Sequence, residues 1–361
     1  MAVTVVIGGQ YGSEGKGKLV SYLACQSEEE LATVRCGGSN AGHTAVGNGK
    51  SYRLRQLPSG AVADHGGLYL AAGMLLDLEV LLREIAETGV IADRLRIDRN
   101  AAVISPEDRL EEGRIQLGAR VGSTLTGTGV ATARKVLRDP NLELAANVVE
   151  LAPYLADVSK ELNDVLDRKG RVIVEGTQGF GLSLHHSGLF PYTTSRDTTA
   201  AAFLSEAGLS PIEVDEILVV FRTYPIRVAG NSGPLEGELS WDEVSRRAGY
   251  PTPLSEYTTV TGRLRRVGEF NWDLARRAVM VNRPTAIALH GADYLNYSDF
   301  GLTSWESLSA DTQTFVRRLE NDLDVPVKYL FTGPAESQIV ERRWRTGGTK
   351  PALHEAIGSH A

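Results

Sequence analysis

Short runs of apolar residues alternate along the chain with longer segments in which apolar residues follow helical spacing. Strands are predicted where such runs are rich in β-branched residues and end at polar or glycine-containing turns. The seven predicted strands are 3–7, 32–35, 68–71, 171–175, 216–221, 285–289 and 327–331. Several runs are unbroken, which is typical of strands covered on both faces. The pattern predicts an α/β fold with a mostly parallel central sheet and helices on both faces.

The segment 76–169 departs from this alternation because its apolar residues mainly follow helical spacing, as from Leu78 to Ile85 and from Val148 to Leu166. We interpret about 76–169 as a helical insertion on a single α/β domain that spans 1–361. The polar stretch 345–361 is predicted to be a loosely attached tail.

Composition narrows the class of protein. The 361 residues carry a formal net charge of −7, whereas a protein that mainly binds nucleic acid is expected to be basic. Cys25 and Cys36 are too few for a disulfide framework, and a reducing cytoplasm fits. The sequence shows neither the pattern of a signal peptide nor a run of 18 apolar residues. We expect a cytoplasmic protein that binds neither nucleic acid nor a membrane.

A glycine-rich loop follows the first predicted strand. Glycines at 8, 9, 12, 15 and 17 allow backbone conformations that point successive N–H groups at an anion, and Lys16 adds a positive charge. A helix that begins near Lys16 would add its positive end. The loop differs from the usual nucleoside-triphosphatase loop, because Gly17 replaces the Ser or Thr that holds Mg²⁺ there. A glycine-rich turn without a ligand is the alternative.

Two further motifs follow predicted strands, at the edge where open α/β sheets bind ligands. In the first, Asn40 and His43 lie among glycines, and a neutral histidine can donate a hydrogen bond to an oxygen that gains charge. A structural histidine is the alternative. In the second, Gln178 precedes the hydroxyl-rich stretch 193–199, which suits a base edge or a monophosphate. A turn with a helix cap would explain that stretch equally well.

In the last third of the chain, Arg263, Arg265 and Arg266 follow Thr261 and Gly262. Guanidinium groups bind carboxylates or phosphates with two parallel hydrogen bonds. A solvated basic face is the alternative for this run.

Together the motifs resemble the adenylosuccinate synthetase family. The resemblance rests on the stretches 10–18, 40–44, 175–179, 261–266 and 332–334, which occur in the family's order and span nearly the whole chain. It implies a ligase that phosphorylates O6 of a 6-oxopurine monophosphate and then lets the amine of aspartate displace the phosphate. Such a site must hold two nucleotides and an amino acid, neutralise their charge and exclude water.

The resemblance also implies roles for individual residues. Chemistry would involve Ser13, Lys16, His43 and Gln178. The triphosphate and its transferred phosphate would contact Gly12, Ser13, Glu14, Gly15, Lys16, Gly17, Lys18, Gly42, His43, Thr44, Asp293, Gly333 and Pro334. The purine monophosphate would contact Ser13, Asn40, Ser123, Thr124, Arg138, Gln178, Thr194 and Arg263, with Arg138 reaching the neighbouring subunit of a homodimer. Aspartate would contact Thr261, Arg263 and Arg265. Mg²⁺ would bind at Ser13 and the Gly42 carbonyl.

One residue of the first loop departs from the family pattern. Ordinary members have an aspartate where this chain has Ser13, and that aspartate accepts the proton of purine N1. Serine has neither the charge nor the basicity for this role. A shorter side chain leaves room for the amino group of guanine beside N1, and a phage-encoded branch of the family acts on dGMP. The chain is similar to that branch, which implies dGMP as the substrate.

A second departure concerns the energy donor. The family recognises GTP through a Thr-Lys-x-Asp stretch, and this chain keeps Asp293 but lacks the lysine. Preference for guanine is therefore not expected, and the resemblance to the phage-encoded branch, which uses ATP or dATP, implies one of these donors. The alternatives are an ordinary enzyme that uses IMP, GTP and aspartate, and a catalytically silent nucleotide-binding protein.

Overall fold

The computed structural model describes residues 2–258 and 262–342. A ten-stranded sheet forms its centre, in the order β17-β16-β15-β11-β1-β10-β2-β5-β7-β9, where strands are numbered along the chain. The strands are β1 (Val3–Gly8), β2 (Leu31–Arg35), β3 (His43–Gly47), β4 (Lys50–Leu54), β5 (Gly67–Leu70), β6 (Leu75–Leu76), β7 (Leu95–Asp98), β8 (Ala102–Val103), β9 (Leu155–Ala156), β10 (Arg171–Glu175), β11 (Val214–Arg222), β12 (Ile226–Arg227), β13 (Glu238–Leu239), β14 (Arg266–Gly268), β15 (Ala286–His290), β16 (Val327–Phe331) and β17 (Ile339–Glu341).

All neighbours in the central sheet pair in parallel except β16 and β17, which are antiparallel. Each of the seven predicted strands is present, and the predicted fold class is confirmed. The α-helices are α1 (Lys16–Cys25), α2 (Leu78–Thr88), α3 (Pro106–Arg114), α4 (Leu117–Val121), α5 (Thr128–Leu137), α6 (Val158–Asp167), α7 (Ala200–Ala207), α8 (Trp241–Ala248), α9 (Trp272–Asn282) and α10 (Ala310–Leu323). No helix within the described residues has the length and apolar composition needed to cross a membrane.

Both faces of the sheet are buried, as the unbroken apolar strands predict. In β1, Val3, Val5 and Ile7 join the core on the side of α7, α9 and α10, whereas Val6 joins the core on the side of α1. This division follows from the period of two in a strand, which sends successive side chains to opposite faces.

The segment 76–169 is less purely helical than predicted. It contains five helices, but β7 and β9 extend the central sheet at its edge. Both strands are short, so their apolar residues are too few to show a period of two. The helical spacing from Val148 to Leu166 is also broken, because a 3₁₀ segment that contains Pro153 and then β9 precede α6. The predicted tail, 345–361, lies outside the described residues.

Phe203, on α7, gives a direct test of the core. Its side chain is completely buried, and its ring packs so closely against the backbone of Gly176 that a Cβ added to this glycine would lie only 2.5 Å from Cε2 of Phe203. We expect Phe203→Ala to lower the free energy of unfolding by about 3–5 kcal/mol, through lost burial and the cavity left behind. Denaturant unfolding measures this. Ile212→Ala is the control: Ile212 is 85% exposed, and its loss should change stability by less than about 0.5 kcal/mol. Equal effects of the two substitutions would contradict this account of the core.

Candidate active site

Loops at the carboxyl edge of the central sheet enclose one large cavity of about 880 Å³. The parallel strands β1, β2, β10, β11, β15 and β16 all end at this edge, so the polar residues that follow them converge. The cavity is of the size that binds small molecules in proteins. Its wall carries Lys16, Lys18, Arg35, Arg222, Arg227 and Arg265, so a site suited to anionic ligands exists in a protein of negative net charge.

The segment 12–18, called the phosphate loop below, comprises the end of the connection from β1 and the first turn of α1. Gly15 has a φ of 102°, and an added Cβ would lie 2.5 Å from Cδ2 of His290, so this position accepts only glycine. Successive backbone N–H groups then run into the start of α1 at Lys16, which is an arrangement that binds anions.

Glu14 organises the phosphate loop from beneath. It is fully buried, and its Oε1 accepts hydrogen bonds from the backbone N–H groups of Gln10 (3.1 Å) and Gly12 (2.8 Å). Its Oε2 pairs with Lys16 Nζ at 2.7 Å. Glu14 does not line the cavity, so the structure does not support its predicted contact with the triphosphate. The reason is that backbone donors and Lys16 draw its carboxylate inward.

Ser13 lies at the turn of the phosphate loop and faces the cavity. Its φ is 58°, an uncommon conformation for a residue other than glycine, and such conformations cluster at functional sites. The Ser13 carbonyl accepts a hydrogen bond from Arg222 Nη1 at 3.2 Å. Within the part of the chain that the structure describes, the Ser13 hydroxyl makes no hydrogen bond, so it is open to a ligand.

His43 begins β3 next to a buried ion pair between Arg35 Nη1 and Glu175 Oε1, which are 2.9 Å apart. Burial, together with the charge of Arg35, lowers the pKa of His43 to about 3, so the ring is neutral at pH 7. Its Nε2 lies 3.0 Å from the carbonyl oxygen of Leu57, which can only accept. In this arrangement the neutral ring donates its single N–H to Leu57, and Nδ1 forms no hydrogen bond with any of the described residues. Donation to a purine oxygen, as predicted, therefore requires the other tautomer.

Gln178 follows β10 and lies against the phosphate loop. Its φ is 57°, and its carbonyl accepts a hydrogen bond from Lys16 Nζ. Gln178 Oε1 and the neighbouring Thr177 Oγ1 are buried without a hydrogen-bond partner, although both residues line the cavity. Buried polar groups without partners are rare in native proteins, and their presence here indicates a site for a polar ligand.

At the far end of the cavity, Lys18 and Asp293 lie near Gly333 and Pro334. Lys18 Nζ donates to the carbonyl of Gly333 at 2.6 Å, and Asp293 accepts a hydrogen bond from the Tyr250 hydroxyl. Burial lowers the pKa of Lys18 to about 8, partly opposed by the charge of Asp293.

This pKa leads to a prediction for triphosphate binding. Lys18 is cationic below about pH 8 and loses its proton above it. If Lys18 contacts the triphosphate, the KM of that nucleotide should rise by up to about tenfold between pH 7 and pH 9. In Lys18→Arg the guanidinium stays charged, so the KM should be nearly constant over this range. A parent enzyme whose KM is equally constant would contradict this role for Lys18.

The cavity brings together most of the predicted site residues. Those that line it are Gly12, Ser13, Gly15, Lys16, Gly17, Lys18, Asn40, Gly42, His43, Thr44, Ser123, Thr124, Gln178, Thr194, Arg265, Asp293, Gly333 and Pro334. Arg138 is exposed at the end of α5, and Arg263 is exposed with its carbonyl accepting a hydrogen bond from Thr258 N–H; neither residue lines the cavity of this chain. Thr261 lies outside the described residues.

Several residues of the cavity wall were not predicted, among them Arg222, Tyr250 and Glu256. Arg222 follows the apolar run 217–221 at the carboxyl edge of the sheet, and that is a signal that sequence inspection can find. Tyr250 and Glu256 come from a stretch without regular periodicity, where no comparable signal exists.

Comparison with known proteins identifies the family. The family model described as "Adenylosuccinate synthetase" matches residues 5–145 and 141–300. The chain belongs to the adenylosuccinate synthetase family. The adenylosuccinate synthetase of Pyrococcus horikoshii is 40% identical over 346 residues, which cover 95% of this chain and 99% of that protein. The enzyme of Archaeoglobus fulgidus is 39% identical over 345 residues, covering 95% and 99%.

Two solved structures are also similar. The fully ligated adenylosuccinate synthetase of Plasmodium falciparum superposes with a TM-score of 0.83 at 20% identity, covering 95% of this chain and 100% of that one, and it supports the fold alone. The succinoaminodeoxyadenylate synthetase of cyanophage S-2L, bound to dGMP and to dATP as an energy donor, gives a TM-score of 0.78 at 28% identity, covering 94% and 95%. As a member of this family, the protein is a carbon–nitrogen ligase that condenses aspartate with a purine nucleotide.

Proposed function

We propose that the purine substrate is dGMP, and that the product is its N6-succinylated 2-aminopurine nucleotide. The observation that carries this proposal is Ser13, which lines the cavity in a phosphate loop that otherwise keeps the family pattern. Guanine carries an amino group beside N1, and hypoxanthine carries hydrogen there. Serine is shorter than the family's aspartate and can both donate and accept a hydrogen bond, so it leaves room for that amino group.

The chemistry follows from the leaving group. Oxygen at C6 is a poor leaving group until the terminal phosphoryl group of a nucleoside triphosphate is transferred to it. The purine gives up its N1 proton as O6 is phosphorylated. The amine of aspartate then forms the new C6–N bond and loses one proton, the C6–O bond breaks, and phosphate leaves; both protons pass to solvent. In this proposal Lys16 and the N–H groups of the phosphate loop neutralise the phosphoryl group in transfer, and neutral His43 contacts O6.

The purine nucleotide and aspartate occupy separate parts of the cavity in this proposal. Asn40, Ser123, Thr124, Gln178 and Thr194 hold the purine monophosphate. The orphaned oxygen of Gln178 supports this assignment, because a bound nucleotide can supply its missing partner. Arg265, which lines the cavity, binds a carboxylate of aspartate.

We infer that ATP or dATP is the energy donor. Gly291 stands where the family's lysine stem would pack on a guanine ring, and Asp293 already accepts a hydrogen bond from Tyr250. Phe300, 40% exposed, lines the cavity beside Gly333 and offers an aromatic face to a base. The cyanophage protein was solved with dATP as an energy donor.

Mg²⁺ fits the donor atoms of this cavity. The described residues include no cluster of three His, Cys, Asp or Glu that could hold a metal ion alone. Mg²⁺ commonly takes few protein ligands and completes its shell with water and substrate phosphates. The Gly42 carbonyl and the Ser13 hydroxyl, both on the cavity wall, would hold it. It would supply positive charge against the phosphates.

We also propose a homodimer in which Arg138 reaches the neighbouring site. Arg138 is exposed, and so are the adjacent apolar side chains of Val136 (73%) and Leu137 (76%). Exposed apolar side chains in a group are typical of an interface.

An ordinary IMP- and GTP-dependent enzyme is the second candidate. It is favoured by the named adenylosuccinate synthetases that are about 40% identical over nearly their full length.

Phosphate release with aspartate, Mg²⁺, ATP and either dGMP or IMP separates the two candidate functions. Our proposal predicts release with dGMP. Release with IMP and none with dGMP would overturn it, and repeating the assay with dATP and GTP tests the donor.

A further inference from the structure

Arg222 connects the phosphate loop to the rest of the cavity wall. It closes β11 and is only 3% exposed. The side chain of Gln10 holds its backbone on both sides: Oε1 accepts from Arg222 N–H at 2.9 Å, and Nε2 donates to Arg222 C=O at 3.1 Å. The Arg222 guanidinium donates to the carbonyls of Ser13 at 3.2 Å and Tyr224 at 3.3 Å. Arg222 is therefore fixed against the phosphate loop by both its backbone and its side chain.

The remaining guanidinium nitrogen, Nη2, is paired with Glu256 Oε1. The Glu256 carbonyl accepts a hydrogen bond from Arg265 N–H at 2.8 Å, beside an antiparallel bridge between Tyr257 and Leu264. Its Oε2 accepts from Arg265 Nη1 at 3.1 Å. Tyr294 donates its hydroxyl to Oε1 at 2.8 Å. One carboxylate thus joins Arg222, which is fixed against the phosphate loop, to Arg265.

We propose that Arg222 and Glu256 are positioning residues that hold Arg265 at a fixed place relative to the phosphate loop. Phosphoryl transfer to O6 occurs at that loop, and the Arg265 guanidinium orients the amino acid whose amine attacks C6. The two steps form bonds to neighbouring atoms, O6 and C6, so the two groups must keep one relative geometry through both. The inference rests on the proposed aspartate contact of Arg265 and on the family reaction, and it is independent of which purine is the substrate.

The charges of the network explain why it keeps this geometry. Although burial alone would raise it, Arg222 and then Arg265 lower the pKa of Glu256 to about 2, so the carboxylate is ionised throughout the neutral range. His290 and Tyr294 are the other titratable groups that face it, and burial, with Arg222 beside it, holds the pKa of His290 well below its usual value. Removing the carboxylate would leave two largely buried guanidinium groups without their shared counter-ion.

The test is Glu256→Gln in the full chain, assayed with whichever purine monophosphate the parent enzyme turns over. We expect the KM of aspartate to rise about tenfold or more, with much smaller changes for the two nucleotides. When the amine is misplaced, water attacks C6 instead. Phosphate leaves, the water oxygen restores the 6-oxo group, and the two water protons go to N1 and to phosphate. The variant should therefore release more phosphate than succinylated product, whereas the parent releases equal amounts.

Arg222→Lys keeps the positive charge but cannot donate to Ser13, Tyr224 and Glu256 together. If Glu256→Gln does not fold, Arg222→Lys provides the test. It should show the same rise in the KM of aspartate and the same excess of phosphate over product. Glu243→Gln is the matched control, because Glu243 also pairs with two arginines, Arg246 (2.8 Å) and Arg247 (2.7 Å), outside the cavity. Unchanged aspartate KM in both variants, or an equal rise for all three substrates, would overturn the proposal. A parent that ignores dGMP would count against the proposed substrate only.

Discussion

Lys16→Gln will lower kcat by about 10²–10³-fold, with a smaller effect on the KM of the purine nucleotide. Lys16 Nζ is held between Glu14 and the carbonyl of Gln178, so it sits within the phosphate loop as a preorganised cation. The charge on the phosphoryl oxygens must be neutralised most strongly during transfer, and glutamine cannot provide that charge. Steady-state phosphate release measures the loss.

Structural damage must be separated from this loss of charge, because Lys16 also pairs with buried Glu14. Lys16→Arg retains the charge and should recover part of kcat if the charge is what matters. Lys160→Gln is the matched control, since Lys160 pairs with Asp164 at 2.6 Å on an exposed face of α6 and should keep parental activity. A Lys16→Gln enzyme with near-parental kcat would exclude Lys16 from phosphoryl transfer.

Ser13→Asp will shift the preference of the enzyme from dGMP toward IMP by about 10²-fold in the ratio of kcat/KM values. The substitution adds two heavy atoms where the amino group of guanine is proposed to lie. Ser13 has a left-handed backbone with a φ of 58°, which aspartate and asparagine tolerate better than most residues, so the loop should keep its shape. Kinetics with each nucleotide in turn measure the ratio.

Asparagine separates the effect of size from the effect of charge. Ser13→Asn has nearly the same volume as Ser13→Asp but no charge, so a steric account predicts that both variants lose dGMP activity. Loss in Ser13→Asp alone would show that charge, not size, excludes guanine. A Ser13→Asp enzyme that uses dGMP as well as the parent does would refute the role given to Ser13.

Sequence analysis found the sheet and the loops at its edge because both depend on local signals. Unbroken apolar strands followed by glycine or polar residues mark a carboxyl edge, and topology then brings Lys16, His43 and Gln178 to one cavity. Family resemblance supplied their roles, which periodicity alone does not contain.

The direction of a loop side chain is harder to predict, because it depends on the partners that the folded structure brings to it. Glu14 points inward since the backbone N–H groups of Gln10 and Gly12 and the ammonium of Lys16 satisfy its carboxylate there. Arg222 and Glu256 are 34 residues apart, and their ion pair exists only after β11 and the following loops have packed. No pattern in the sequence predicts such a pair, because it depends on the packing of the folded chain.

The most direct test of the central claim is a competition assay. The enzyme receives equal concentrations of dGMP and IMP with aspartate, ATP and Mg²⁺, and mass spectrometry identifies the succinylated products. The proposal predicts that the succinylated 2-aminopurine deoxynucleotide formed from dGMP dominates. A mixture that contains only the succinylated product of IMP would contradict it.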